Sequence, residues 1–448
     1  MTLLSHELRL FMRAPLSVIA VILLTVLTTA SVIAGLAEID RQRAAIAAIA
    51  SAQAEDIGAV ADWIDAKKDA GSAGYYSFHP TWDPPSRLAF AALGMRDVSP
   101  HILRVRALGL EAQIYDGDTF NPELALPGRF DFAFVLVFLA PLFVIALFHD
   151  LVSGEREAGR LRMLQALPGG GLSFWLRRSG LRLGLLCAAL ALPFLVAAVV
   201  SGVAPLTMLA VLGLAFVYLL FWVLVCGLAS RLRWSSVANA ATLAAVWLVL
   251  VLILPTLANV LVNRAIPVDQ GAEIALAQRE RVNSAWDIPR EETMRRFYAG
   301  HPEWAGSPPL PEAFHYKWYF AFHQVGDESV GDQVRAYRSG LEKRDATAQA
   351  LGWMLPSVGI QALLTRLAET DLKAQLAYQD RIRAFHRDLR QFYYGYLFRD
   401  LPFAKADFAR APRFDPAADA RTPRPISGSK AEARGPEAPA RSSAGSST

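Results

Sequence analysis

Five long apolar runs alternate with polar stretches along the chain. They cover Pro15 to Leu36, Phe132 to Phe148, Leu181 to Val203, Leu206 to Ala229 and Val237 to Val262. At about 17–26 residues and 1.5 Å rise each, they are long enough to cross ~30 Å of hydrocarbon as helices. A helix pairs its own backbone polar groups within one segment, which lipid requires. The pattern predicts an all-α membrane protein of about five transmembrane helices. Two large polar blocks, 37–130 and 263–413, separate or follow the spans and read as mainly helical extracytoplasmic regions.

The first run exceeds the apolar core of a cleavable signal peptide, so it reads as an anchor, with Gly35-Leu36-Ala37 a weak cleavage site. Ahead of it, Leu3 to Met12 has the pattern of a short interfacial helix. Helical patterning runs from Ala37 to Lys68, until Gly71, Gly74, Pro80, Pro84 and Pro85 break it. In the second block Asp269 to Trp286, Arg290 to Ala299, Glu328 to Gly352 and Asp371 to Phe398 read as helices. Asp287 is placed to N-cap the second of these, with Pro289 in its first turn. Leu351 to Leu367 is moderately apolar but carries Pro356, Gln361 and Arg366. It reads as a buried or interfacial helix, with a sixth span as the alternative. Residues 414–448, rich in Pro, Ala, Ser, Gly and Arg without periodicity, predict a disordered tail.

Charge orients the spans. With the N-terminus in the cytoplasm, the head, the loop 150–180 and the turn 230–235 lie inside. They hold Arg9, Arg13, Arg156, Arg160, Arg162, Arg177, Arg178, Arg231 and Arg233. The connection 202–205 holds no basic residue, which completes a positive-inside distribution. That places 37–130 and 263–413 outside and predicts a multi-pass protein of the inner membrane. The net charge of +4 over 448 residues gives no footprint for a nucleic-acid partner. The two cysteines, Cys187 and Cys226, sit in apolar runs and read as packing residues.

Candidate chemistry is sparse. There is no G-x-x-x-x-G-K-[ST] phosphate loop; Gly428-Ser429-Lys430 is a fragment in the tail. H-E-x-x-H and G-x-S-x-G are absent, and His301, His315, His323 and His386 lack metal spacing. The aromatics Phe297, Tyr298, Tyr316, Trp318, Tyr319, Phe320 and Phe322 suit an apolar ligand or helix packing equally. Pro141, Pro193 and Pro255 are placed to kink their spans.

The most informative stretch leaves the second span: His149-Asp150-Leu151-Val152-Ser153-Gly154-Glu155-Arg156-Glu157-Ala158-Gly159-Arg160-Leu161-Arg162, then Pro168-Gly169-Gly170-Gly171, Trp175 and Arg177-Arg178. A charged loop anchored at the interface would look the same by composition. A stiff coupling element with glycines at its joints is the functional reading. Asp150, Ser153, Gly154, Glu155, Arg156, Glu157, Gly159 and Leu161 resemble the loop after the second span of type-2 ABC exporter permeases. Pro85 to Ala89, Gly94, Arg96-Asp97-Val98, Asn121-Pro122-Glu123, Leu355-Pro356-Ser357 and Ala368 to Asp371 resemble the outer regions of a bacterial subfamily with large periplasmic loops. That resemblance implies a permease subunit, paired with itself or a similar permease. A separate ATPase would bind Asp150, Gly154, Glu155, Arg156, Glu157, Gly159 and Leu161. ATP would be bound and hydrolysed on that partner, with no cofactor on this chain. Such permeases usually have six spans, which this chain departs from. A non-transporting scaffold of an envelope complex is the alternative.

Overall fold

A computed structural model describes residues 3–115, 129–166, 172–268, 271–311 and 314–417. The motif Asn121-Pro122-Glu123, the glycine run Pro168 to Gly171, the start of the Asp269 helix and residues 418–448 lie outside them. Among the described residues, five helices are long and apolar enough to cross a membrane: Pro15–Lys67, Phe132–Glu157, Leu172–Val200, Pro205–Arg231 and Ser236–Ala265. The protein is an all-α multi-pass membrane protein.

The first span passes Gly35-Leu36-Ala37 without a break and continues as one helix to Lys67, where Lys68 turns left-handed (φ 56°). Its 53 residues reach about 80 Å. The helix expected from Ala37 is thus a direct continuation of the first span. Its buried face runs Leu24, Thr28, Ser31, Val32, Gly35, Ile39, Gln42, the i, i+3/i+4 spacing of one helical stripe, and several members are small. Leu16, Ile19, Ile22, Val26 and Ile33 stay exposed, as lipid-facing side chains do. Gly35 is obligatory by contact: a Cβ there would lie 2.0 Å from the Phe90 carbonyl oxygen.

Prolines set the shape of the second and fifth spans. A proline removes one backbone donor and its ring presses on the carbonyl four residues back. Each span widens to a π-turn just before its proline, Val135–Leu139 before Pro141 and Leu248–Ile253 before Pro255. Side chains supply donors to these loosened turns. Tyr218 Oη donates to Val137 O (2.9 Å), Trp247 Nε1 to Phe138 O (3.1 Å) and Ser357 Oγ to Leu250 O (3.2 Å).

Leu351 to Leu367 contains the helix Pro356–Leu367 of 12 residues. That is about 18 Å, too short to cross, so it is a packed helix and not a sixth span. It packs against the π-turns of the second and fifth spans and against Pro205–Arg231, while Trp353 and Met354 just before it are exposed. Its C-terminal end is joined to the segment after the first span. Met95 N donates to Thr370 O (2.7 Å), Thr370 Oγ1 to Ala92 O (2.8 Å) and Ser86 Oγ to Ala368 O (2.5 Å). Asp131 closes the same joint. It caps the second span through Phe134 N (2.8 Å) and also accepts Leu93 N (2.8 Å), and its burial raises its pKa to about 6.

The two polar blocks form one extramembrane core. A two-stranded antiparallel sheet, β1 (His79–Trp82) and β2 (Ile102–Val105), lies among the helices Gly271–Ser284, Arg290–Gly300, Tyr316–Ser329, Gly331–Leu351 and Leu372–Leu397. Asp371 caps the last through Ala374 N (3.0 Å), worth about 1 kcal/mol. The expected Asp287 cap is not formed. Asp287 ends a 3-10 turn, and Pro289 takes the capping position with no side-chain bond. Phe297, Trp318, Phe320 and Phe322 are buried in this core, which gives the aromatic-rich stretch a packing role.

Candidate coupling site

The residues singled out after the second span converge at one end of the bundle. Ser153–Glu157 forms a short helix that Gly159 ends. Gly159 has φ +72°, open space around its Cα, and a nested pair of hydrogen bonds, Arg160 N to Glu155 O (2.9 Å) and Gly159 N to Arg156 O (3.0 Å). This is the glycine-dependent stop that left-handed geometry requires. A second short helix, Leu161–Ala166, follows at once.

Side chains tie this elbow to three spans. Glu155 is buried and accepts from Arg178 Nη1 (2.9 Å), on the third span, and from Arg160 Nε (2.8 Å). Arg156 donates to Ser230 O and Leu232 O, both 3.3 Å, at the end of the fourth span. Glu157 accepts Ser236 N (2.7 Å) at the start of the fifth, and Ser236 Oγ lies 2.9 Å from Ser153 Oγ. Arg182 donates to Leu147 O and stands 3.8 Å from Asp150. Asn239, buried in the fifth span, donates to His149 O (3.4 Å). A force on the elbow therefore reaches spans two to five through short polar contacts.

The seven named residues divide by direction. Glu155 faces inward, and Gly154, Arg156 and Leu161 are half-buried. Asp150, Glu157 and Gly159 are exposed, together with Ala158, Arg160, Arg162 and Met163. Sequence reasoning passed over Met163 as a surface residue. An apolar side chain beside Arg160 and Arg162 was the available signal. Asn259 is exposed, and its neighbour Asn263 donates to it (3.4 Å).

The extramembrane core holds a second polar cluster. Arg390 and Asp327 pair at 2.6 Å with side chains 9% and 10% exposed. Asp327 also accepts Leu110 N (2.8 Å). His79, His323 and His386 are held neutral by burial: the pKa of His79 falls to about 4, that of His323 to about 3, and that of His386 well below its usual value. Among the described residues no group of three His, Cys, Asp or Glu side chains could hold a metal.

The fold and this site define a multi-pass helical membrane protein with one large extramembrane domain and a braced polar elbow at the other end. Residues 272–417 match the model of a domain of unknown function (DUF3526), which coincides with the second polar block. No curated protein and no solved structure matches the chain.

Proposed function

We propose that this chain is the permease subunit of an ATP-driven ABC exporter in the inner membrane, paired with itself or a similar permease. The observation that carries the reading is the elbow 150–163. It offers Glu157, Gly159, Arg160, Arg162 and Met163 to a partner while Glu155, Arg156 and Glu157 brace it on the third, fourth and fifth spans. A transporter driven from outside its own chain needs such an element, stiff and connected to the helices it moves. The arginine-bearing short connections supply the orientation, with the elbow cytoplasmic and both large blocks outside. ATP binding and hydrolysis belong to the partner subunit.

The test is purification of the tagged chain from its native membrane. It should bring down an ATPase carrying a phosphate loop, and Glu155→Lys and Gly159→Trp should each reduce the recovered ATPase. Unchanged recovery with both variants would remove the elbow from the docking surface. Absence of any ATPase would favour a non-transporting scaffold.

A further inference from the structure

A cavity of about 270 Å³ opens in the extramembrane domain, away from the elbow and the spans. Its polar lining is Arg106, Gln113, Gln278, Arg279, Asn283 and His323, with Ala112, Val282 and Tyr319 as apolar wall. Among the described residues no carboxylate lines it.

The donors and acceptors around it do not balance. Gly109 N donates to His323 Nδ1 (3.3 Å), so the neutral ring carries its proton on Nε2. That Nε2 is buried and has no partner among the described residues, and Arg106 Nε is in the same condition. The Arg106 guanidinium sits over Phe78 and Tyr75, 5.0 and 5.5 Å from the ring centroids, and makes no ion pair among the described residues. The nearby acids are already engaged. Asp327 holds Arg390, Leu110 N and Gln278, and Glu111 holds Arg383 through two 2.9 Å bonds. A half-buried cation with no ion pair among the described residues, whose own Nε and the neighbouring His323 Nε2 lack acceptors there, asks for a bound acceptor of negative charge.

We infer that this cavity binds a small oxyanion, a carboxylate or phosphate, with Arg106 as its charge partner. Its size and its Ala112, Val282 and Tyr319 wall leave room for a short organic group on the anion. Such a phosphate could be a free solute or the head group of a lipid. The inference stands independently of the exporter reading, because its measurement involves no ATPase.

The experiment uses the full chain in phosphatidylcholine nanodiscs, with binding of radiolabelled inorganic phosphate read by equilibrium dialysis. Unlabelled inorganic phosphate, acetate and glycerol phosphate serve as competitors, and sodium chloride as the ionic-strength control. Saturable one-to-one binding is expected, weakened at least tenfold by Arg106→Gln and removed by Ala112→Phe, which fills the cavity and leaves the polar cluster intact. Tryptophan fluorescence of the unliganded variants checks that each is folded; if Arg106→Gln is not, Ala112→Phe decides. Stronger competition by glycerol phosphate than by unlabelled inorganic phosphate would point to a head group, and equal or weaker competition to a free solute. No saturable binding, or binding unchanged in folded Ala112→Phe, would overturn the inference.

Discussion

Replacing Glu155 with glutamine removes one charge from the elbow and almost no volume. The carboxylate joins Arg178, whose side chain is 21% exposed, and Arg160, at 56%. A well-buried charge-assisted bond contributes about 1.5–3 kcal/mol, and an exposed pair about 0–1. Glutamine keeps one accepting oxygen and turns an N–H₂ toward the other arginine, so roughly 2 kcal/mol of local stability is lost. At 1.4 kcal/mol per factor of ten, opening of the elbow should increase about thirtyfold. Hydrogen exchange reads that opening in the amides of 154–160, whose acceptors include Asp150, Val152 and Glu155 carbonyls. Peptides from 378–397 report the distant extramembrane core and should be unchanged. Exchange in 154–160 less than threefold faster would show that Glu155 does not hold the elbow. Equal acceleration in both regions would show that it acts on the whole fold instead.

Other outcomes follow from the extramembrane domain. His79 and His323 are depressed to about 4 and about 3, so the unfolded chain takes up their protons first as pH falls below 6.5. Their contribution is complete above pH 6.5 and is lost toward the folded values. At pH 5 the two together lose about 4 kcal/mol. Melting followed by tryptophan fluorescence should fall steeply from pH 6.5 to 5, and His79→Gln with His323→Gln should flatten the slope. Arg390→Met leaves Asp327 buried without its cation and should cost about 3–5 kcal/mol in chemical denaturation, with Asp327→Asn added recovering part of it. At Gly94, φ is +50° and a Cβ would meet Thr370 O at 2.5 Å. Gly94→Ala should therefore destabilise by about 2 kcal/mol or more. Gly395→Ala, in a helix with open space around it, should be neutral or stabilise by up to about 1 kcal/mol in the same assay.

The spans were legible because lipid leaves a twenty-residue apolar segment few alternatives to a helix. The helix ends were less so. Asp287 carries a capping side chain, yet the chain turns through a 3-10 segment there and Pro289 occupies the position. The elbow was recognisable from Glu155 to Gly159, since a charged helix ending in glycine is a local pattern. Which of its residues face inward was not. Glu155 finds Arg178 across 23 residues and Glu157 finds Ser236 across 79, and no local spacing encodes those partners. The cavity was invisible for the same reason: Gly109 and His323 are 214 residues apart and meet only after both polar blocks pack together. His323 was noticed for lacking metal spacing, a test that does not ask whether its ring has a hydrogen-bond acceptor.

A photoreactive side chain at Met163, 60% exposed beside Arg162, probes the proposed docking surface in the living membrane. Irradiation should yield an adduct with a chain that carries a G-x-x-x-x-G-K-[ST] phosphate loop, and the same probe at Leu276 in the extramembrane domain should not. If Met163 captures no nucleotide-binding chain and is instead reached from outside the cell by a membrane-impermeant reagent, the elbow faces the wrong side for a cytosolic motor and the permease account fails.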